Sequence, residues 1–71
     1  MTQTLKINGR EKQFPEGQIP QTLSELLHQL NLDQATIVAE INGQIVERAS
    51  FAETKIAPGA SIELVRFVPG G

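Results

Sequence analysis

Residues 22–31 read Thr-Leu-Ser-Glu-Leu-Leu-His-Gln-Leu-Asn, and this stretch decides the fold. Leu23, Leu26, Leu27 and Leu30 stand at i, i+3, i+4 and i+7, so a helix gathers them into one apolar stripe. Thr22 with Glu25 three residues on has capping-box spacing. In that arrangement the hydroxyl and the carboxylate satisfy backbone N–H groups that the first turn leaves without partners. Pro20 stands just before the start, and Asn31 is placed to end the helix, with Leu32 packing back under it. One helix with one stripe must bury it against a sheet, which predicts two layers.

The flanks supply that sheet. Thr2 to Ile7 alternates, with Leu5 and Ile7 on one face. Asn8-Gly9 follows, a pair that tolerates positive φ at both central turn positions. Glu11 to Phe14 is then the returning strand, closed by Pro15 and Gly17. Beyond the helix, Ile37 to Ile41 is a β-branched run ending in Asn42-Gly43, and Gln44 to Val46 returns from it as a second hairpin. The two Asn-Gly turns echo each other, but their flanks do not match, so this is no repeat architecture. No catalytic role falls to Asn8, Gly9, Asn42 or Gly43, which are turn-formers.

Glu47 to Ile56 has no clean period and is expected to wrap one edge with a short turn or irregular helix. Pro58-Gly59 turns the chain into a last strand, Ser61 to Val68. On it Ile62, Leu64 and Arg66 share one face, and Glu63, Val65 and Phe67 share the other. Pro69 has no N–H to give a ladder, so pairing stops near it. The order is ββαββ plus one terminal strand, an α+β domain of roughly five strands on one helix.

Composition narrows the function classes. Seventy-one residues make one domain, and 39% apolar residues give it one modest core. The 6 basic and 8 acidic residues leave a formal charge of −2. Lys6, Arg10, Lys12, Arg48, Lys55 and Arg66 are scattered, with none of the cationic stripe that phosphate contacts need, so nucleic acid is not the expected partner. No apolar stretch is long enough for a membrane span and no export leader is visible, so a cytoplasmic address is expected. With no Cys, no disulfide, thiolate or persulfide can form on a side chain. His28 has no second ligand spaced to help it, so it reads as a surface residue and no metal site is expected. There is no nucleophile with a paired His and acid, and no phosphate-binding glycine loop. Neither a cofactor nor independent enzymatic activity is expected.

What stands out is the end of the chain. If the helix covers Ile62 and Leu64, then Val65 and Phe67 face away from it. Exposed apolar groups beside a chain end make a docking patch. Val65, Arg66, Phe67 and Val68 are its candidate residues, with Arg48 a further candidate for an acidic partner surface. Gly70 and Gly71 then finish the chain without side chains.

Nearly the whole sequence resembles the ThiS family of sulfur carriers in thiamin thiazole biosynthesis. The residues that carry the resemblance are the opening strand with Asn8-Gly9, the leucine helix, Ile41-Asn42-Gly43-Gln44-Ile45-Val46 followed by Arg48, and Ile62-Glu63-Leu64-Val65 running into Gly70-Gly71. The chain departs from the family pattern where Phe51 replaces a frequent Trp, where Pro58-Gly59-Ala60 replaces an Asp-Gly-Asp turn, and where Pro69 precedes the glycine pair. These departures bear on the choice among carrier subfamilies and not on the fold.

The resemblance implies a ubiquitin-like β-grasp domain over residues 1–68 with a Pro-Gly-Gly tail at 69–71. It implies that a ThiF-like partner uses ATP to adenylate the carboxylate of Gly71, and that sulfur derived from a cysteine desulfurase converts it to a thiocarboxylate. A ThiG-like thiazole synthase would then receive the sulfur. ATP would belong to the activating enzyme. A MoaD-like carrier of molybdopterin synthesis, a ubiquitin-like modifier of lysines and a plain interaction domain with an idle tail are the alternatives.

Overall fold

The structure, a computed structural model, describes residues 2–68. β1 (Thr2–Ile7) and β2 (Arg10–Pro15) form an antiparallel hairpin. α1 (Leu23–Gln29) follows, then β3 (Ile37–Ile41), β4 (Gln44–Val46) and β5 (Ser61–Arg66). The sheet order is β2-β1-β5-β3-β4. β5 therefore lies in the middle, parallel to β1 and antiparallel to β3. A five-stranded mixed sheet with one helix on it is the expected β-grasp arrangement.

Both hairpins turn on Asn-Gly as the sequence predicts. Asn8 and Gly9 have φ of +52° and +80°, and Asn42 and Gly43 have +51° and +86°. Two successive positive φ values make type I′ turns, whose twist matches that of the strands they join. Pro15 belongs to β2 instead of closing it, opposite Thr2. β2 is a sheet edge, so the missing N–H costs the ladder nothing on that side.

The helix is capped at both ends. Thr22 Oγ1 accepts from the Glu25 N–H at 3.2 Å. The Glu25 carboxylate accepts from the Gln21 N–H at 2.8 Å, one residue before the position that a capping box would use. The segment after β4 supplies the remaining acceptors: Leu23 N–H donates to Thr54 O and Ser24 N–H to Phe51 O. At the other end Asn31 takes φ +61°. Asn31 N–H donates to His28 O and Leu32 N–H to Leu27 O, the double bond pattern that closes a helix through a left-handed residue.

Leu23, Leu26 and Leu27 are fully buried against Leu5, Ile37, Ala39, Ile62 and Leu64 of the sheet. Residues 47–56 do more than wrap an edge. After a single 3-10 turn at Arg48–Ser50, this segment places Phe51 and Ile56 in the core. Phe51 is the largest fully buried side chain.

The last strand is shorter than its sequence suggests. It ends at Arg66 and not at Val68. β3 begins at Ile37, opposite Arg66, so the partner strand runs out there. A last bond from Phe67 N–H to Thr36 O, 2.8 Å, ties the chain down just past the ladder. Pro69 lies outside the described residues and is not needed to explain the stop.

Candidate functional site

Strand alternation decides which side chains meet on the sheet face that the helix leaves open. On β5, Ile62 and Leu64 are buried under the helix, so Glu63 and Val65 point to the open side. On β3 the buried residues are Ile37 and Ala39, which sends Val38 and Glu40 to the same open side. Register places Val38 directly opposite Val65, and Glu40 directly opposite Glu63. On β4, Ile45 stands beside Glu40.

The large hydrophobic residues left exposed are Val38 (42%), Ile45 (71%), Val65 (58%), Phe67 (41%) and Val68 (85%). Four of the five fall on β3, β4 and β5 or directly after β5. Val68 leads from them toward the end of the chain. Isolated exposed apolar residues are ordinary, but a group of four on one face, with Val68 following, is the pattern of an interaction surface. A shallow groove runs along it, lined by Ala35, Val38, Ile45, Val46, Arg48 and Phe67.

Each residue singled out in the sequence can now be placed. Val65 and Phe67 are exposed as predicted, and Val68 is the most exposed of the set. Arg66 is exposed but stands opposite Ile37, at the strand end and on the alternation of the covered face. It does not line the groove, whereas Arg48 does. His28 is exposed, as expected of a surface residue. Gly70 and Gly71 lie outside the described residues. Val38 and Ile45 belong to the patch although sequence reasoning passed over them. The signal that could have found them is alternation, since both stand out of phase with inward-facing neighbours, Val38 with Ala39 and Ile45 with Val46.

Another hollow of the surface lies beside the helix start, between Ile19, Pro20, Ser24, His28 and Gln34. Ser24, Glu25 and His28 all line it, but Ser24 Oγ donates to Gln34 Oε1 at 3.1 Å and the Glu25 carboxylate accepts from the Gln21 N–H at 2.8 Å, so the bonds of Ser24 and Glu25 go to groups other than His28. Among the described residues no group of three or more His, Asp or Glu could hold a metal ion. No helix of the described residues is long and apolar enough to cross a membrane. The open sheet face next to the chain end is thus the candidate site. What it offers is an exposed apolar surface on which another molecule can dock.

The chain is also similar to known proteins. The sequence profile of the ThiS family matches residues 5–71. The chain superposes on the crystal structure of a thiamine biosynthesis protein, ThiS, of Geobacter metallireducens, with TM-score 0.77 and 32% identity over 96% of this chain and 99% of that one. The solution structure of a thiamine biosynthesis protein of the same organism matches with TM-score 0.73 and 32% identity, over 96% of this chain and 87% of that one. A thiazole synthase of Paramagnetospirillum magneticum is 34% identical over 67 residues, which are 94% of this chain and 20% of that protein. The chain therefore spans a fifth of the length of that curated relative.

Proposed function

This chain belongs to the ThiS family, and from that membership we propose that it is a sulfur carrier for thiamin thiazole formation whose working group is the carboxylate of Gly71. The observation that carries the proposal is the family match through residue 71, joined to a patch of exposed apolar residues beside the same end. On this reading the chain is no enzyme. It provides an acyl end and a surface by which other enzymes hold it.

The tail chemistry follows from the residues. Glycine has no Cβ, so Gly70 and Gly71 can thread a channel too narrow for other residues and adopt φ values that others avoid. A terminal carboxyl has a reference pKa of about 3.3–3.7, so at neutral pH it is an anion ready to attack a phosphorus atom. Attack on the α-phosphate of ATP in a ThiF-like enzyme expels pyrophosphate and leaves an acyl adenylate. A persulfide derived from a cysteine desulfurase then attacks the acyl carbon and expels AMP, and a second thiol cleaves the resulting acyl disulfide, leaving the thiocarboxylate and a disulfide between the two thiol sulfurs. ATP is the partner's substrate and needs no site on this chain.

The acceptor on this reading is a ThiG-like thiazole synthase. Its support is the relative named thiazole synthase that contains a segment like this chain within a protein five times longer. Joining a carrier to its acceptor raises their effective concentration, which is useful only when the two meet repeatedly. The docking surface on this reading is Val65, Phe67 and Val68 of the residues named from the sequence, with Val38, Ile45 and Arg48 extending it, while Arg66 stands on the alternation of the covered face.

The test is direct. The chain is incubated with a ThiF-type enzyme, ATP and sulfide, and its intact mass is measured. One oxygen-for-sulfur exchange is expected, and removal of Gly71 should abolish it while leaving the thermal midpoint unchanged. Covalent ladders with lysines of other proteins, without that exchange, would replace the carrier reading by a modifier reading. A chain that acquires neither label refutes both.

A further inference from the structure

We propose that Glu40 and Glu63 together form the recognition point for an arginine or lysine on the adenylating enzyme, at the centre of the open sheet face. This inference rests on the carrier reading above and adds the chemistry of the partner's surface to it.

The two carboxylates are directly opposed on β3 and β5. Residues so placed have Cβ atoms about 4.5–5.5 Å apart, and like charges there destabilise the sheet. Neither carboxylate has an ion-pair or side-chain hydrogen-bond partner among the described residues. Lys6 is the nearest cation by register, beside Ser61 on the open face, and it forms no ion pair with Glu63. The surroundings sharpen the anomaly. Ile45 flanks Glu40 on its other side, and the opposed Val38 and Val65 stand two residues further along the same strands. An uncompensated pair of negative charges thus sits inside the patch of exposed apolar side chains.

The geometry of the chain end selects the occupant. Three residues follow Val68, and fully extended they reach at most about 11 Å. An active site that takes the Gly71 carboxylate must lie within that reach, so the enzyme around it covers the end of β5. Val65 and Glu63 are only about 7 Å apart along the strand. An interface of ordinary size, about 800 Å² on each partner, extends well past both.

Charge then specifies what that enzyme must bring. Once Val38, Ile45 and Val65 are covered, Glu40 and Glu63 lose water, and two dehydrated anions without a cation are strongly unfavourable. A guanidinium can bridge both carboxylates with paired hydrogen bonds. The same anions repel nucleic acid and anionic lipid. A second copy of the chain seated on this face would cover Val68 and obstruct delivery of the terminus.

The signature to test is a residue pair that weakens the free protein and strengthens the complex. Glu40→Gln, Glu63→Gln and the double variant are measured for binding to the adenylating enzyme encoded in the same genome, by calorimetry at two salt concentrations. Their thermal midpoints and sedimentation are measured alongside. Glu11→Gln, on the far edge strand, serves as control. Each single variant should bind about 10- to 100-fold more weakly, while its thermal midpoint stays the same or rises by about 1–3 °C. The double variant should lose the salt dependence of binding and lose less affinity than the two single effects combined. Unchanged binding by the variants overturns the proposal, as does weaker binding that comes with a lowered midpoint. Self-association of the wild type that the variants abolish would assign the face to a second copy and overturn it too. A wild-type chain that neither binds the enzyme nor acquires sulfur fails at the carrier reading, a result distinguishable from the others because the variants play no part in it.

Discussion

Asn8 and Asn42 make the turns, and their side chains then do something the dipeptide pattern does not announce. Asn8 Oδ1 accepts from the Leu64 N–H at 2.7 Å, and Asn42 Oδ1 accepts from the Ser61 N–H at 3.0 Å. Both bonds end on β5, one from each side, so each turn replaces a ladder bond where its own strand leaves the centre of the sheet. Glycine can occupy the positive φ of either position, so Asn8→Gly and Asn42→Gly both keep the turn and carry a similar entropic cost. The difference between them isolates the lost acceptor. The Leu64 site is partly buried and the Ser61 site is exposed, and a buried N–H left without a partner costs about 1–3 kcal/mol. Asn8→Gly should therefore be the more destabilising by about 1 kcal/mol in urea unfolding. Equal losses would mean that water satisfies both N–H groups alike. The turns were legible because Asn-Gly is a local signal. The bonds were not, because their acceptors and donors lie 19 and 56 residues apart.

Among the elements, α1 is the clearest in the sequence and the least able to stand alone. It has 7 residues, and isolated helices shorter than about 12–15 residues are marginal in water. Its stripe, cap and closing Asn31 were all readable because they act within one or two turns. What holds it in place was not readable. The carbonyls of Phe51 and Thr54 take its first two N–H groups, and Phe51 and Ile56 pack in the core beside it. Those two residues sit in a segment without a period, so only their tertiary position reveals that they are core. The same holds for the end of β5, which falls at Arg66 where β3 begins. If packing outweighs local propensity, Leu27→Ala should cost about 3–5 kcal/mol, and Thr22→Ala only about 1 kcal/mol. Chemical denaturation of the two variants checks this ranking, and a comparable loss at Thr22 would make the cap, not the leucine stripe, the anchor of the helix.

At the scale of the whole molecule, periodicity gave two layers and about five strands, while the β-grasp topology came from family resemblance and the parallel pairing of β1 with β5 only from the structure, since strand order leaves no mark on alternation. The consequence of that order is functional. Placing the last strand in the centre brings the chain end out between neighbours, so Val38 on one flank and Ile45 beyond it join Val65 and Phe67 as one surface. A sequence scanned strand by strand shows Val65 and Phe67 but not that the β3–β4 hairpin continues their patch. Ile45 is 71% exposed and Phe67 is 41% exposed, so they separate adhesion from folding. Truncating Ile45 removes almost no buried area, and Ile45→Ser should leave the thermal midpoint within about 2 °C of wild type. Phe67 is more than half covered by the groove, and Phe67→Ala should lower stability by about 1 kcal/mol. On the proposed carrier reading, both variants should bind the adenylating enzyme about 10-fold more weakly, because an apolar group at the centre of an interface loses its pocket whichever state the free protein prefers. Measured side by side, an affinity loss at Ile45 without a stability loss marks the surface as a docking face. Loss at Phe67 alone, in step with its stability, would reduce the patch to a cover for the sheet edge.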